Sequence, residues 1–209
     1  MTELSLYEQV SDLSTIKKQW FVELFQGDAL DTDRWQTTDI AGTGTFAMVD
    51  AINGGFSIIT SASSNDRSRI NFNDKRQYDH QNSVIIGSTK NIQSTSIKTL
   101  FGFAGDITHT ADFAFVEGDP DESSGNFGLL TKDATTSSKT GSTTAVDTDW
   151  HIHKIQCSST DIQLTIDDLL EVTKTTNRPS AKLQPTYQAQ TTTTATREGR
   201  INYMECYNV

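Results

Sequence analysis

Cysteine and proline are what this chain does without: two and three, respectively, in 209 residues. Two thiols are too few for a disulfide framework, so stability must come from a buried core, which a chain of this length can supply. Cys157 and Cys206 both fall at alternating strand positions and read as buried free thiols; a pairing stays open if their strands are neighbours. The shortage of proline, with charged residues at 21 % and many Thr, Ser, Gly and Asn, suits an all-β surface better than a helical bundle. Positive charge is also scarce. Seventeen Lys and Arg against 27 Asp and Glu leave a net charge of −10, which argues against nucleic acid and against an anionic membrane. No apolar run reaches the roughly 18 residues that cross a bilayer. The opening MTELSLYEQVSDLSTIKK carries acids and lacks a leader's apolar core, so no signal peptide is expected.

What is present is a period of two. In WHIHKIQCSSTDIQLTIDDLLEVTKTTN, from Trp150 to Asn177, Ile155 and Cys157 alternate with Lys154 and Gln156. After a Ser-Ser-Thr-Asp turn, Ile162, Leu164 and Ile166 alternate with Gln163 and Thr165. Asp167-Asp168 tolerates positive φ and predicts a tight hairpin into a third strand. Upstream, strands are expected over 20–25, 43–51, 55–61, 69–73, 83–90, 96–104, 111–117 and 127–132, and downstream over 183–191 and 200–207, about thirteen in all. Phe101 and Phe103, then Phe113 and Phe115, are aromatic pairs at i and i+2 and read as core, as do Trp20, Trp35 and Trp150 at strand ends. The Ser/Thr/Gly tract 133–148 has little to bury and reads as an exposed loop or outer hairpin.

Residues 3–18 carry the one helical pattern. Ser5 with Glu8 forms a capping box, and Leu6, Tyr7, Val10 and Leu13 fall on one stripe. The reading is an N-terminal helical arm, 1–18, ahead of a β-sandwich, 19–209. The arm either packs on its own sandwich or grips neighbouring subunits of a homo-oligomeric assembly.

The tail then resembles a known family. Trp150-His151, Ile166-Asp167-Asp168, Thr176-Asn177-Arg178-Pro179, Gln190-Thr191 and Ile201-Asn202-Tyr203-Met204 follow the order found in concanavalin A-like lectin/glucanase (laminin G-like) jelly rolls, and FVELFQGDALDTDRW resembles their first strand. The resemblance implies a two-sheet antiparallel jelly-roll sandwich, ahead of which the sequence pattern places the short N-terminal α-helix. It also implies two kinds of site. Laminarinase-type endoglucanases of this superfamily carry a Glu-x-Asp-x-Glu or Glu-x-Asp-x-x-Glu strand, with two carboxylates about 5 Å apart on one face. The comparable strand here is taken as Asp112-Phe113-Ala114-Phe115-Val116-Glu117, whose two acids point to opposite faces of a regular strand. A non-catalytic module is therefore expected. A glycan would be held by Gln188 and Gln190 on one face of their strand, with Tyr187 and Asp112 nearby.

No cofactor is expected. The loop from Asp119 to Asn126 begins as a calcium loop does, with oxygen ligands at Asp119, Asp121 and Ser123, but lacks Gly at the sixth place and an acid at the twelfth. A solvated acidic turn is the expectation and Ca2+ its alternative. His151 and His153 share a strand face, as a transition-metal pair would, yet with Ile155 and Cys157 beside them they read as partly buried, hydrogen-bonded imidazoles. The function expected is a structural or binding module, a virion or particle-surface protein (capsid decoration or fibre) contacting glycans. The alternatives are a free-standing carbohydrate-binding lectin and a divergent laminarinase-type glycoside hydrolase.

Overall fold

A computed structural model describes residues 20–49 and 54–209; the helical arm and its stripe of Leu6, Tyr7, Val10 and Leu13 lie outside the described residues. In chain order the strands are β1 (Phe21–Glu23), β2 (Gln36–Ile40), β3 (Thr45–Val49), β4 (Gly55–Ile59), β5 (Arg67–Asn71), β6 (Ser83–Asn91), β7 (Ile97–Ala104) and β8 (Phe113–Gly118). There follow β9 (Asn126–Lys132), β10 (Ser137–Ala145), β11 (His151–Cys157), β12 (Ile162–Ile166), β13 (Leu169–Lys174), β14 (Gln184–Thr191) and β15 (Glu198–Asn208). They form two antiparallel sheets. One runs β13-β12-β11-β6-β15-β4-β3 with β1 also paired to β15; the other runs β10-β9-β8-β7-β14-β5-β2.

The local writing of β11 to β13 is obeyed. Asp167 and Asp168 take φ of 48° and 67°, the left-handed pair that a two-residue hairpin needs. The chain's two ends meet as well: Phe21 pairs with Cys206 and Glu23 with Met204. Between the sheets lies the main core, which holds Phe101 and Phe103 from β7, Ala114 and Val116 from β8, Tyr187 and Ala189 from β14, and Ile155 and Met204 from the facing sheet. A knot of rings fills one end. Phe21 stacks on Phe72 at 4.9 Å, and Trp35 meets Phe72 and Phe25 at 5.4 and 5.6 Å.

Several expectations need correction. Fifteen strands are present among the described residues, not thirteen, because β2 reads QTTDI with no apolar alternation and because the tract 133–148 pairs along β9 as the edge strand β10. Of the tryptophans, Trp35 is core, whereas Trp20 is 48 % exposed with its Nε1 donating to Glu205, and Trp150 is half-buried beneath the Lys90 ammonium. Cys157 and Cys206 are free and buried. They belong to β11 and β15, and β6 lies between those strands.

Phe113 and Phe115 are buried but not in the main core. Their partners across the ladder are Ala104 and Gly102, one residue out of phase with Phe101 and Phe103. They therefore face away from the second sheet and form a separate cluster with Leu100, Ala104 and Leu130. The loop 105–112 covers it. Its Gly105 amide bonds to Asp112 O at 2.7 Å, and the His109 ring lies 5.0 Å from that of Phe115.

Candidate functional site

Alternation fixes which side chains share the outer face of the seven-stranded sheet. One row across the strands is Gly128, Glu117, Leu100, Gln188, Arg69 and Thr38, from β9, β8, β7, β14, β5 and β2; each is the ladder partner of the next. Gln190 lies between Lys98 and Arg67 in the row beside it. Polar and charged groups thus collect on a face whose middle is apolar.

At the β8 end these groups converge. Glu117 and Asp119, two apart, both reach Lys98, at 3.4 and 3.2 Å. Lys139 from β10 reaches Glu117 at 2.8 Å and also pairs with Glu122. Glu117 and Asp119 are 5 % and 6 % exposed, so this network is shielded from water and worth more than a surface ion pair. Burial alone would lower the Lys98 ammonium, but the charges of Glu117 and Asp119 and their hydrogen bonds outweigh it and raise its pKa. Burial likewise pushes the Glu122 carboxyl up, and hydrogen bonding and charge from Lys139, then a hydrogen bond with Glu117, bring it below its ordinary value.

The residues concerned spell Glu117-Gly118-Asp119-Pro120-Asp121-Glu122. That is a Glu-x-Asp-x-x-Glu run, placed where β8 leaves the sheet. Sequence reasoning looked for the acids within β8 itself, between Asp112 and Glu117, and stopped at the residue where the run begins. The signal was available in the letters. What hid it was the Pro120 turn, which does not look like a strand.

The other expected site residues are dispersed. Gln188 and Gln190 share the outer face as anticipated. Tyr187 points the opposite way, fully buried in the main core, and Asp112 accepts from the backbone amide and hydroxyl of Ser180, pinning the crossover before β14. Neither joins the glutamines. In the acidic loop, Asp119 binds Lys98, and Asp121 accepts from the Ser96 amide at 2.7 Å. Among the described residues no three His, Cys, Asp or Glu side chains are grouped so as to hold a metal ion. His151 bonds to Asp167 at 2.6 Å and to Asp147 at 3.1 Å, whereas neither ring nitrogen of His153 has a partner, so only one of the pair is the hydrogen-bonded imidazole expected.

Clefts of about 510 and 530 Å3 lie elsewhere, around residues 24–28 with Gly55 and Tyr203, and around Leu30, Phe46 and Phe56. The first is lined by Gln26, Asp28, Asn202 and Tyr203 beside Leu24 and Phe25, the second mainly by apolar side chains with Asp28, and neither holds a pair of acids.

No protein-family model matches this chain, and no curated protein matches it. Solved structures do. The β-glucanase of Bacillus licheniformis superposes with a TM-score of 0.64 at 12 % identity, over 91 % of this chain and 98 % of that one. The carbohydrate recognition domain of Emp46p, in its metal-free form, gives 0.61 at 10 % identity, over 88 % and 93 %. A Shewanella oneidensis protein of unknown function, SO2946, gives 0.66 at 15 % identity, over 100 % and 95 %. The expectation that this is not an enzyme does not survive: glycoside hydrolases are among the structures that share its architecture along nearly their whole length, and the acid run sought in β8 begins at the end of that strand. At these identities the likeness is one of fold, and by fold this chain is a concanavalin A-like jelly-roll sandwich.

Proposed function

We propose that the protein is carbohydrate-active and cleaves a glycosidic bond on the outer face of the seven-stranded sheet, with Glu117 and Glu122 as the working carboxylates. The observation that carries this is the single Lys139 ammonium that touches both. Two carboxylates sharing one ammonium are within the about 5 Å that a retaining mechanism requires between nucleophile and proton donor. Glu122, held below the ordinary carboxylate range, suits the ionised nucleophile, and Glu117 is the second carboxylate of the pair. Asp119, between them in the run and paired with Lys98, is a positioning residue. In the free protein Lys139 occupies the space between the acids, so substrate must displace it. The fold shared with β-glucanases and with a carbohydrate recognition domain supports the same reading.

The test is release of reducing ends from soluble β-1,3- and mixed-linkage glucans. Glu117→Gln and Glu122→Gln should each lower the rate by roughly 10²- to 10⁴-fold while the fold, read by near-UV circular dichroism, persists. Saturable glycan binding with no cleavage of any polymer by the native chain would sink the hydrolytic step.

A finer reading adds attachment of this sandwich to other subunits of a particle through the amphipathic stretch 3–18. It rests on the apolar stripe of that stretch.

A further inference from the structure

Arg69 is among the largest side chains with no exposed surface, and it has no carboxylate partner. It sits in β5 on the outer face, beneath loop 105–112. Its Nη1 donates to Ile107 O at 3.0 Å, but its Nε and Nη2 donate to nothing. Asn71, two residues along on the same face, spends its Oδ1 on Thr186 and His109, and its buried Nδ2 is also without an acceptor. Asp106, the nearby acid, is committed elsewhere: its carboxylate accepts from the amides of Thr108, Thr110 and Ala111. Among the described residues no ion pair reaches Arg69. A buried guanidinium left uncompensated is destabilising, and unfilled donors of this kind on two adjacent outward positions match a planar or tetrahedral oxyanion.

We propose that Arg69 and Asn71 form an oxyanion site, roofed by loop 105–112, which takes the carboxylate or sulfate substituent of an acidic glycan. The glycan part rests on the carbohydrate reading above; the anion part rests on the unfilled donors alone. The placement suits a polymer lying across the strands. Glu117 and Arg69 occupy one row with Leu100 and Gln188 between them, three strand spacings or roughly 14 Å apart. The charged substituent would therefore belong to a sugar a few units from the cleaved bond, and Gln188 would face the sugar between. Entry requires the loop to lift, which breaks the Arg69 to Ile107 bond and the bonds of His109 to Asn71 and Thr186.

The experiment compares binding of polygalacturonate (carboxylate), chondroitin sulfate (carboxylate and sulfate) and a neutral β-glucan to the full chain by calorimetry at fixed ionic strength, with inorganic sulfate alone as a fourth probe. One or both acidic polymers should bind at least about tenfold tighter than the neutral one, and Arg69→Met should abolish that difference, with Arg69→Lys intermediate because it keeps the charge and loses the fork. Without ligand, Arg69→Met should melt no lower than the native chain, since it removes an unpaired buried charge; that measurement separates lost binding from lost folding. Equal affinity for all three polymers, unchanged by Arg69→Met, overturns the proposal and means the donors meet internal water only. A melting shift by inorganic sulfate that depends on Arg69, with no polymer bound, overturns the glycan assignment together with the carbohydrate reading. Tight binding of acidic polymer without cleavage of any glycan upholds the oxyanion site while removing hydrolysis.

Discussion

His153 is packed between the rings of Phe127, at 4.9 Å, and Phe101, at 6.2 Å, with both of its nitrogens unpaired. Burial first, then the charge of His151, pushes its pKa down to about 3. The unfolded chain therefore binds this proton more readily than the folded one. The resulting contribution is complete above the unfolded value near 6.5 and is lost as pH falls from there toward 3, at up to about 1.4 kcal/mol per pH unit. His151 works with the opposite sign. Burial lowers it, but the hydrogen bonds its ring N–H groups donate to Asp167 and Asp147 outweigh that and raise its pKa, so its contribution is present below about 6.5 and lost as pH rises through the folded value. His153→Leu, which removes two unsatisfied polar atoms from an apolar site, should match or exceed native stability at pH 7 by up to roughly 1 kcal/mol. It should also lose less stability than the native chain on going to pH 4.5. Urea melts at the two pH values check this; a parallel decline of both proteins would show that His153 is not a source of the acid sensitivity. The sequence marked His151 and His153 as a pair on one face. It could not say that Asp147 and Asp167, from two different turns, reach one ring and leave the other dry.

Strand by strand, most of the sandwich was legible because burial on one face imposes a period of two, and the hairpin at Asp167-Asp168 was legible because so few residues accept positive φ. What failed is instructive. β2 and β10 are edge strands of polar residues, and an edge strand exposed on its outer side needs no apolar alternation to be held by its neighbour. Phe113 and Phe115 had the period of a strand, but a sheet has two faces, and which is core depends on a loop that covers the other. The acid run was missed for a related reason: Glu117 lies near the end of β8 and Glu122 comes after the Pro120 turn, and what draws the two together is Lys139, which β10 brings in from a later part of the chain. Packing between layers gives a test. A methyl group at Gly87 in β6 would lie 2.3 Å from Phe101 Cζ in β7 of the facing sheet. Gly87→Ala should cost roughly 1–3 kcal/mol in a denaturant melt, and pairing it with Phe101→Leu should recover part of that loss. Strictly additive effects would mean the two sheets do not touch at this point.

For the whole molecule, the two sheets are tied at one margin by side chains of their outer strands. Glu171 of β13 accepts from Thr143 and Thr144 of β10, and Lys174 reaches Ser138 O. Among the described residues β1 begins at Phe21 and pairs with β15, which closes the sandwich at the two ends of the described chain. Deleting 1–18 should therefore leave the melting transition of the sandwich in place and lower the mass measured by light scattering, if that stretch joins subunits. A chain of monomer mass both before and after the deletion would end the assembly reading.

The sequence by itself determined the architecture, because alternation, turn residues and a shortage of proline and cysteine are local properties that admit few other folds. Only the tertiary structure decided the sites. Lys98, Lys139, Glu117 and Glu122 meet, and Arg69 is left without a counter-charge, because strands far apart in the chain lie side by side, and the energy of a buried charge depends on every group around it rather than on its neighbours in sequence.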